Sequence, residues 1–78
     1  MVRVPHPIRF QLAENMRAFR KQIGMTQEQL AASAGLHITY VNEIERGKRN
    51  VAIDNIGRIA EALNVAPALL LSPPETNL

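Results

Sequence analysis

The side chains best suited to recognition chemistry are concentrated between residues 37 and 50 of this 78-residue chain. If residues 37–46 form a helix that buries Val41, a rotation of about 100° per residue places several polar side chains on the opposite face. Hydrogen-bonding groups dominate that face, and a basic segment follows it. A helix that reads base edges in the major groove of DNA has this composition, as does an ordinary solvated helix face. The polar face comprises Thr39, Asn42, Glu43 and Arg46.

The formal net charge of +2 is unevenly distributed along the chain. Residues 1–25 carry five cations and a single carboxylate, whereas residues 26–45 carry three carboxylates and neither Lys nor Arg. Residues 46–50 carry three cations, and residues 51–78 are net acidic. Two basic segments indicate contact with a polyanion through one side of the molecule, although a solvated surface explains the charge alone equally well.

Catalytic and metal-dependent functions find little support in the composition. The chain has no Cys, which excludes disulfides, thiolate metal ligands and a cysteine nucleophile. His6 and His37 are isolated from paired carboxylates, glycine-rich phosphate loops and metal-ligand clusters. We therefore expect neither catalysis nor a bound metal or cofactor.

No segment has the features of a targeting or membrane-spanning sequence. Residues 1–10 lack the apolar run of a signal peptide. The longest uncharged apolar stretch, residues 65–71, is far shorter than the roughly 20 residues that a bilayer requires. We expect a cytoplasmic location and, at this length, a single domain. Its ordered core spans about residues 8–72, with a flexible arm at 1–7 and a flexible tail at 73–78.

Apolar residues recur at three- and four-residue intervals, and no segment alternates with period two. The sequence therefore predicts an all-α domain of five helices. The inward stripe of helix 1 comprises Ile8, Leu12, Met16, Phe19 and Ile23. The predicted helices cover about residues 8–23, 26–35, 37–46, 53–63 and 67–71.

Helices 2 and 3 together match a helix-turn-helix motif at about residues 26–46. Thr26 and Gln29 have the spacing of a capping box at the start of helix 2, and Gly35 ends that helix. Val41 and Ile44 then anchor helix 3 and leave its other face free.

One carboxylate breaks the polar and apolar pattern of helix 3. Glu45 lies only about 40° from the buried Val41 on the helical wheel. Burying it without a partner would cost several kcal/mol. Arg20, at the equivalent edge of helix 1, is the predicted partner. Alternatively, both side chains reach water and the pair contributes roughly 0–1 kcal/mol.

The sequence resembles the phage-repressor, or xenobiotic-response-element, class of helix-turn-helix regulators across about residues 8–71. The resemblance is carried by residues 24–31 (GMTQEQLA), Gly35-Leu36, residues 39–41 (TYV) and residues 44–47 (IERG). Small regulators, among them the controller proteins of restriction-modification systems, are similar in residues 39–50. The resemblance implies a five-helix domain that binds operator DNA, usually as a symmetric dimer.

By position, the resemblance also implies individual contacts. Gln27, at the start of helix 2, would contact a phosphate, and the pairing of Arg20 with Glu45 is a feature of the class. Residues in the major groove would be His37, Ile38, Thr39, Asn42 and Glu43. Residues that hold the DNA backbone would be Tyr40, Arg46, Lys48, Arg49 and Asn50.

The sequence departs from this class at three points. Ile38 stands where relatives often have a polar side chain that reads a base. It therefore either contacts a thymine methyl group or extends the edge of the core. Glu43 either accepts a hydrogen bond from cytosine or only disfavours wrong sequences. Val51-Ala52 replaces a Pro-Ser pair, which leaves helix 4 without a capping hydroxyl at a cost of about 1 kcal/mol.

Helix 5 contains three consecutive leucines, Leu69, Leu70 and Leu71. One small core cannot bury all three, so at least one is expected to face outward. A two-fold homodimer through helices 4 and 5 would cover this surface and place two recognition helices about 34 Å apart. The alternative is a monomer in which helix 5 forms an apolar cap at the C-terminal end.

These patterns predict a sequence-specific regulator of transcription that binds double-stranded DNA as a homodimer. The alternative is a protein-interaction module, such as an antitoxin whose main task is to mask a partner protein.

Overall fold

Five α-helices account for most of residues 3–74, the part of the chain that this computed structural model describes. No strand occurs within that range, so the predicted all-α class is confirmed. The predicted helix boundaries are met to within two residues. The helices are α1 (Ile8–Gln22), α2 (Gln27–Ala34), α3 (Ile38–Glu45), α4 (Ile53–Leu63) and α5 (Pro67–Leu71).

Local capping chemistry sets the ends of α2, as predicted. The Thr26 hydroxyl accepts a hydrogen bond from the Gln29 N–H at 3.0 Å, and the Gln29 side chain accepts one from the Thr26 N–H at 2.9 Å. Gly35 ends the helix in the left-handed conformation, with φ of 70°. By contrast, the N-cap residue of α4 is Ala52, which provides no side-chain cap, as its missing hydroxyl predicts.

The core is formed by one face of each helix. The predicted stripe of α1 is only partly correct, because Ile8 and Ile23 are 40% and 54% exposed. They lie at the first position of α1 and just beyond its last turn, where no other helix covers them. Fully buried side chains include Met16, Leu30, Val41, Ile44, Ile59 and Leu70.

The helices pack so that α3 is supported from two sides. Contacts join α1 to α3 and α5, α2 to α3 and α4, and α4 to α5.

The buried Asn15 of α1 donates hydrogen bonds from Nδ2 to the carbonyl oxygens of Leu70, at 2.8 Å, and Ser72, at 2.7 Å. These bonds satisfy carbonyl groups at the end of α5, which a helix of five residues cannot satisfy internally.

The predicted flexibility of the two ends is not tested by this fold. Residues 1–2 of the predicted arm and residues 75–78 of the predicted tail lie outside the described range. Within residues 3–74, no helix combines the length and apolar character needed to cross a bilayer.

Candidate nucleic-acid interface

The solvent-facing side of α3 carries the residues that the sequence singled out as base readers. Val41, Ile44 and Glu45 are buried against the rest of the domain, which turns the remaining positions outward. Asn42 and Glu43 are half-buried at the edges of this surface. Its exposed members are His37, Ile38, Thr39 and Arg46.

His37 acts as the N-cap of α3. Its Nδ1 accepts a hydrogen bond from the Thr39 N–H at 3.1 Å. Because Nδ1 is the acceptor, the neutral ring carries its proton on Nε2, which is left as a donor. One side chain therefore begins the helix and keeps a hydrogen-bonding group available at its exposed end.

A buried ion pair joins α1 to the end of α3. Arg20 Nε lies 2.7 Å from Glu45 Oε2, and Arg20 Nη2 lies 2.9 Å from Glu45 Oε1. The side chains are only 12% and 2% exposed, so this is the buried arrangement of the predicted pair rather than the solvated one. The hydrogen bonds that Arg20 donates to the Glu45 carboxylate raise the pKa of its guanidinium, against the opposing effect of burial, and the charge of Glu45 adds to the rise.

Further hydrogen bonds hold α1 to both neighbouring segments. Arg20 Nη1 donates to the carbonyl oxygen of Met25, in the turn before α2. Arg17 donates from Nη1 to the backbone carbonyl oxygen of Glu45. Two arginines of α1 thus fix the C-terminal end of α3, one through the Glu45 side chain and one through its backbone.

Gln27 extends this network to the exposed side of α3. Its Nε2 donates to Glu45 Oε1 at 3.0 Å, and its Oε1 accepts from Asn42 Nδ2 at 3.3 Å. The amide of Gln27 is therefore engaged within the domain, where it orients Asn42. The donors that remain for a phosphate are the second Nε2 hydrogen of Gln27 and the backbone N–H groups at the N-terminus of α2.

A second, exposed network connects α3 to the α3–α4 loop. Arg49 Nη1 lies 2.7 Å from Glu43 Oε1, and the Arg49 guanidinium carbon is 4.8 Å from the centre of the Tyr40 ring. The Tyr40 hydroxyl accepts a hydrogen bond from Asn55 Nδ2 at 3.1 Å. Glu43, a predicted base reader, and Arg49, a predicted phosphate contact, are therefore paired with each other in the free protein. No sequence signal pointed to Asn55.

Gly47 turns the chain between α3 and the basic loop. It has φ of 72°, and the Phe10 ring of α1 lies so close that a Cβ at Gly47 would be 2.6 Å from Phe10 Cδ1. No pattern in the sequence indicated the contact with Phe10. The loop beyond it exposes Lys48, Arg49 and Asn50 to solvent.

Metal-ligand side chains do not cluster on this surface among residues 3–74. No group of three or more His, Asp or Glu side chains in that range is placed to hold a metal ion. What the described surface offers is hydrogen bonding and positive charge on one helix and the loop that follows it.

Residues 16–70 match the family model described as helix-turn-helix. The chain belongs to the helix-turn-helix family.

Several relatives within this family are named for transcriptional control. Control protein C.BamHI of Bacillus amyloliquefaciens is 46% identical over 65 residues, which cover 82% of this chain and 80% of that protein. The structure of a hypothetical transcription factor from Neisseria is 45% identical, with a TM-score of 0.84 and coverage of 95% of this chain and 87% of that one.

One solved structure includes DNA. The tetramer of the restriction-modification controller protein C.Esp1396I, in complex with its natural 35 base-pair operator, matches with a TM-score of 0.78 and 30% identity. The match covers 85% of this chain and 87% of the controller chain. These relatives are regulators of transcription built on the same helix-turn-helix fold.

The leucines of α5 do not share one environment in this helix-turn-helix domain. Leu69 is 48% exposed and Leu71 is half-buried, whereas Leu70 is completely buried. The prediction that Leu70 belongs to a dimer interface is therefore wrong. Leu70 points into the core against α1 and α4, since consecutive residues of a helix are turned about 100° from one another.

Proposed function

We propose that this protein is a sequence-specific regulator of transcription that binds operator DNA with α3 in the major groove. The observation that carries this proposal is the construction of α3. Its buried side is fixed by the Arg20–Glu45 pair, and its free side presents hydrogen-bonding groups. A rigid, preorganised reading surface lowers the entropic cost of binding.

Direct readout is assigned to the exposed face of α3. Thr39 hydrogen-bonds to a base edge, and Ile38, which is 37% exposed, meets a thymine methyl group. Asn42 suits adenine, because its amide is already oriented by Gln27. His37 and Glu43 complete the set of readers.

Phosphate contacts are assigned to groups on either side of that face. Arg46, Lys48 and Asn50 are exposed at the end of α3 and in the loop that follows. Arg49 is also assigned to phosphate contact, once its guanidinium has released Glu43 and bound a phosphate. The Tyr40 ring lies against that guanidinium. The remaining donors of Gln27 and the α2 N-terminus hold the backbone on the other side.

Two copies of the chain bind as a homodimer through α4 and α5. Ile53 and Leu69 are the large apolar residues exposed on these two helices, at 72% and 48%. Leu71 supplies further apolar surface at its half-buried position. A two-fold pair of reading helices doubles the contacts with a symmetric operator. The tetramer of C.Esp1396I on its operator supports the assembly of several chains on DNA.

A salt-dependent titration on duplex DNA tests the proposal. If the dimer neutralises six to eight phosphates, log Kobs falls with log salt at a slope of about −5 to −7. Thr39→Ala/Arg46→Ala is expected to abolish specific binding while preserving the helical circular dichroism. Ser33→Ala/Lys21→Ala, two exposed changes on α2 and α1, is the matched control and is expected to bind like the wild type. Absence of salt-dependent binding to any duplex would overturn the proposal.

No contact or comparison favours the alternative of a protein-masking antitoxin. Relatives named as transcription factors and controller proteins support DNA recognition instead.

A further inference from the structure

The N-terminal arm and the α3–α4 loop line one groove of about 790 Å³. Arginines from three separate parts of the chain line it, between mostly apolar residues: Arg3 of the arm, Arg9 of α1 and Arg49 of the loop. Among the described residues that line the groove, none is Asp or Glu. The two basic segments of the sequence are therefore brought together at one place in the fold.

The positive charge of the groove is largely uncompensated. Within residues 3–74, neither Arg3 nor Arg9 forms an ion pair. Arg49 pairs with Glu43, but the two side chains are 49% and 34% exposed. An exposed pair of this kind is worth at most about 1 kcal/mol, so an incoming anion readily replaces the carboxylate.

The arm is held in position where it joins α1. His6 Nδ1 accepts a hydrogen bond from the Ile8 N–H at 3.0 Å, and the His6 carbonyl oxygen accepts one from the Arg9 N–H at 3.1 Å. Pro5 and Pro7 restrict the backbone on either side of His6. These bonds fix the backbone from His6 to Arg9, directly after the segment that carries Arg3.

We infer that this groove binds the sugar-phosphate backbone of the operator beyond the stretch that α3 covers. The inference rests on the proposed function, because Arg49 belongs both to the groove and to the loop assigned to phosphate contact. Arginine suits this role since its planar guanidinium donates two parallel hydrogen bonds to a phosphate. The arm thereby adds affinity without adding base readout.

Salt-dependent titration of single-charge variants on the selected operator tests the groove. Each phosphate contact contributes about 0.9 to the slope of log Kobs against log salt, so loss of one contact per protomer lowers a dimer's slope by about 2. Arg3→Ala and Arg9→Ala are each expected to show this loss, equally on operator and random duplex. Lys21→Ala removes an exposed charge outside the groove and is expected to leave the slope unchanged. Thermal melts confirm that all three variants fold.

Hydroxyl-radical footprinting provides the second measurement. The wild type is expected to protect sugars beyond the half-site that α3 covers, and Arg3→Ala is expected to lose that protection alone. Wild-type slopes and footprints in the Arg3 and Arg9 variants would overturn the groove assignment and leave the proposed function standing. Failure of the wild type to bind any duplex would overturn both. If inorganic phosphate raises the Tm of the wild type while the variants keep wild-type slopes, the groove holds a free anion and the inference is wrong.

Discussion

Arg20 and Glu45 form a two-point ion pair that joins α1 to the end of α3, with distances of 2.7 and 2.9 Å. Since Glu45 also accepts from Gln27, which in turn orients Asn42, a buried carboxylate is linked to a half-buried side chain that we assign to base reading. The surface that we assign to DNA contact is thus connected to a charge in the core.

Replacing Glu45 by Gln is expected to destabilise the domain. The change leaves the guanidinium of Arg20, only 12% exposed, without its carboxylate, and removal of one partner from a buried pair costs about 3–5 kcal/mol. Urea unfolding at a fixed protein concentration measures the loss. Glu61→Gln, at an exposed carboxylate of α4, is the control and is expected to stay within about 0.5 kcal/mol of the wild type. An equally small effect at Glu45 would show that the pair does not hold α1 to α3.

Gly47→Ala is expected to cost more than the same change at Gly35. Both residues have positive φ, at 72° and 70°, so each change carries a backbone penalty of roughly 1–2 kcal/mol. Only at Gly47 would the new Cβ collide with the Phe10 ring, whereas at Gly35 nothing lies within 4 Å. The difference between the two unfolding free energies isolates the collision. Phe10→Ala in the Gly47→Ala background is expected to recover part of it, and equal losses at both glycines would contradict the contact.

Asn15→Ala is expected to loosen α5. The change removes both hydrogen bonds to the Leu70 and Ser72 carbonyl groups and leaves buried acceptors unsatisfied, at a cost of about 1–3 kcal/mol. Amide hydrogen exchange is expected to show faster exchange in α5 while α2 and α3 keep their protection. Gln11→Ala removes one half-buried bond to Leu71 and is expected to have a smaller effect. Unchanged exchange in α5 would show that these bonds do not anchor it.

Leu69→Ser is expected to weaken the dimer. Leu69 is 48% exposed on α5, so its loss changes the apolar surface assigned to the interface without opening a cavity in the core. Sedimentation over a range of concentrations measures the dimer dissociation constant. Ile23→Ser, at a 54% exposed residue of similar size beyond α1, is the matched control. Weakening by both changes, or by neither, would place the interface elsewhere.

Glu43→Ala is expected to reduce the discrimination between operator and random duplex. The carboxylate repels phosphate, and in the free protein it also holds Arg49 at 2.7 Å. Its removal frees Arg49, so affinity for random duplex is expected to rise while the ratio of the two affinities falls. Glu14→Ala, an exposed carboxylate of α1, provides the comparison. A rise in affinity for the operator alone would contradict this role.

Local signals made much of the fold predictable. The capping box at Thr26 and the glycine stop at Gly35 act within a few residues, so their chemistry is legible in the sequence. The Arg20–Glu45 pair was predictable because a carboxylate on the inward side of a helix requires a partner.

Features that depend on the three-dimensional packing were not predictable. The exposure of Ile8 and Ile23 depends on where the neighbouring helices end. The burial of Leu70 depends on how α5 lies across α1 and α4. Likewise, Arg3 and Arg49 line the same groove although no pattern along the chain relates them.

Selection of bound fragments from a random pool of duplex DNA tests the central claim most directly, since no operator need be known in advance. If α3 reads base edges and the chain acts as a dimer, the enriched fragments contain a two-fold symmetric site. Its half-sites have centres about 10–10.5 base pairs, or a multiple of that spacing, apart. A bound pool that remains random in sequence after repeated rounds would contradict the claim that α3 reads DNA.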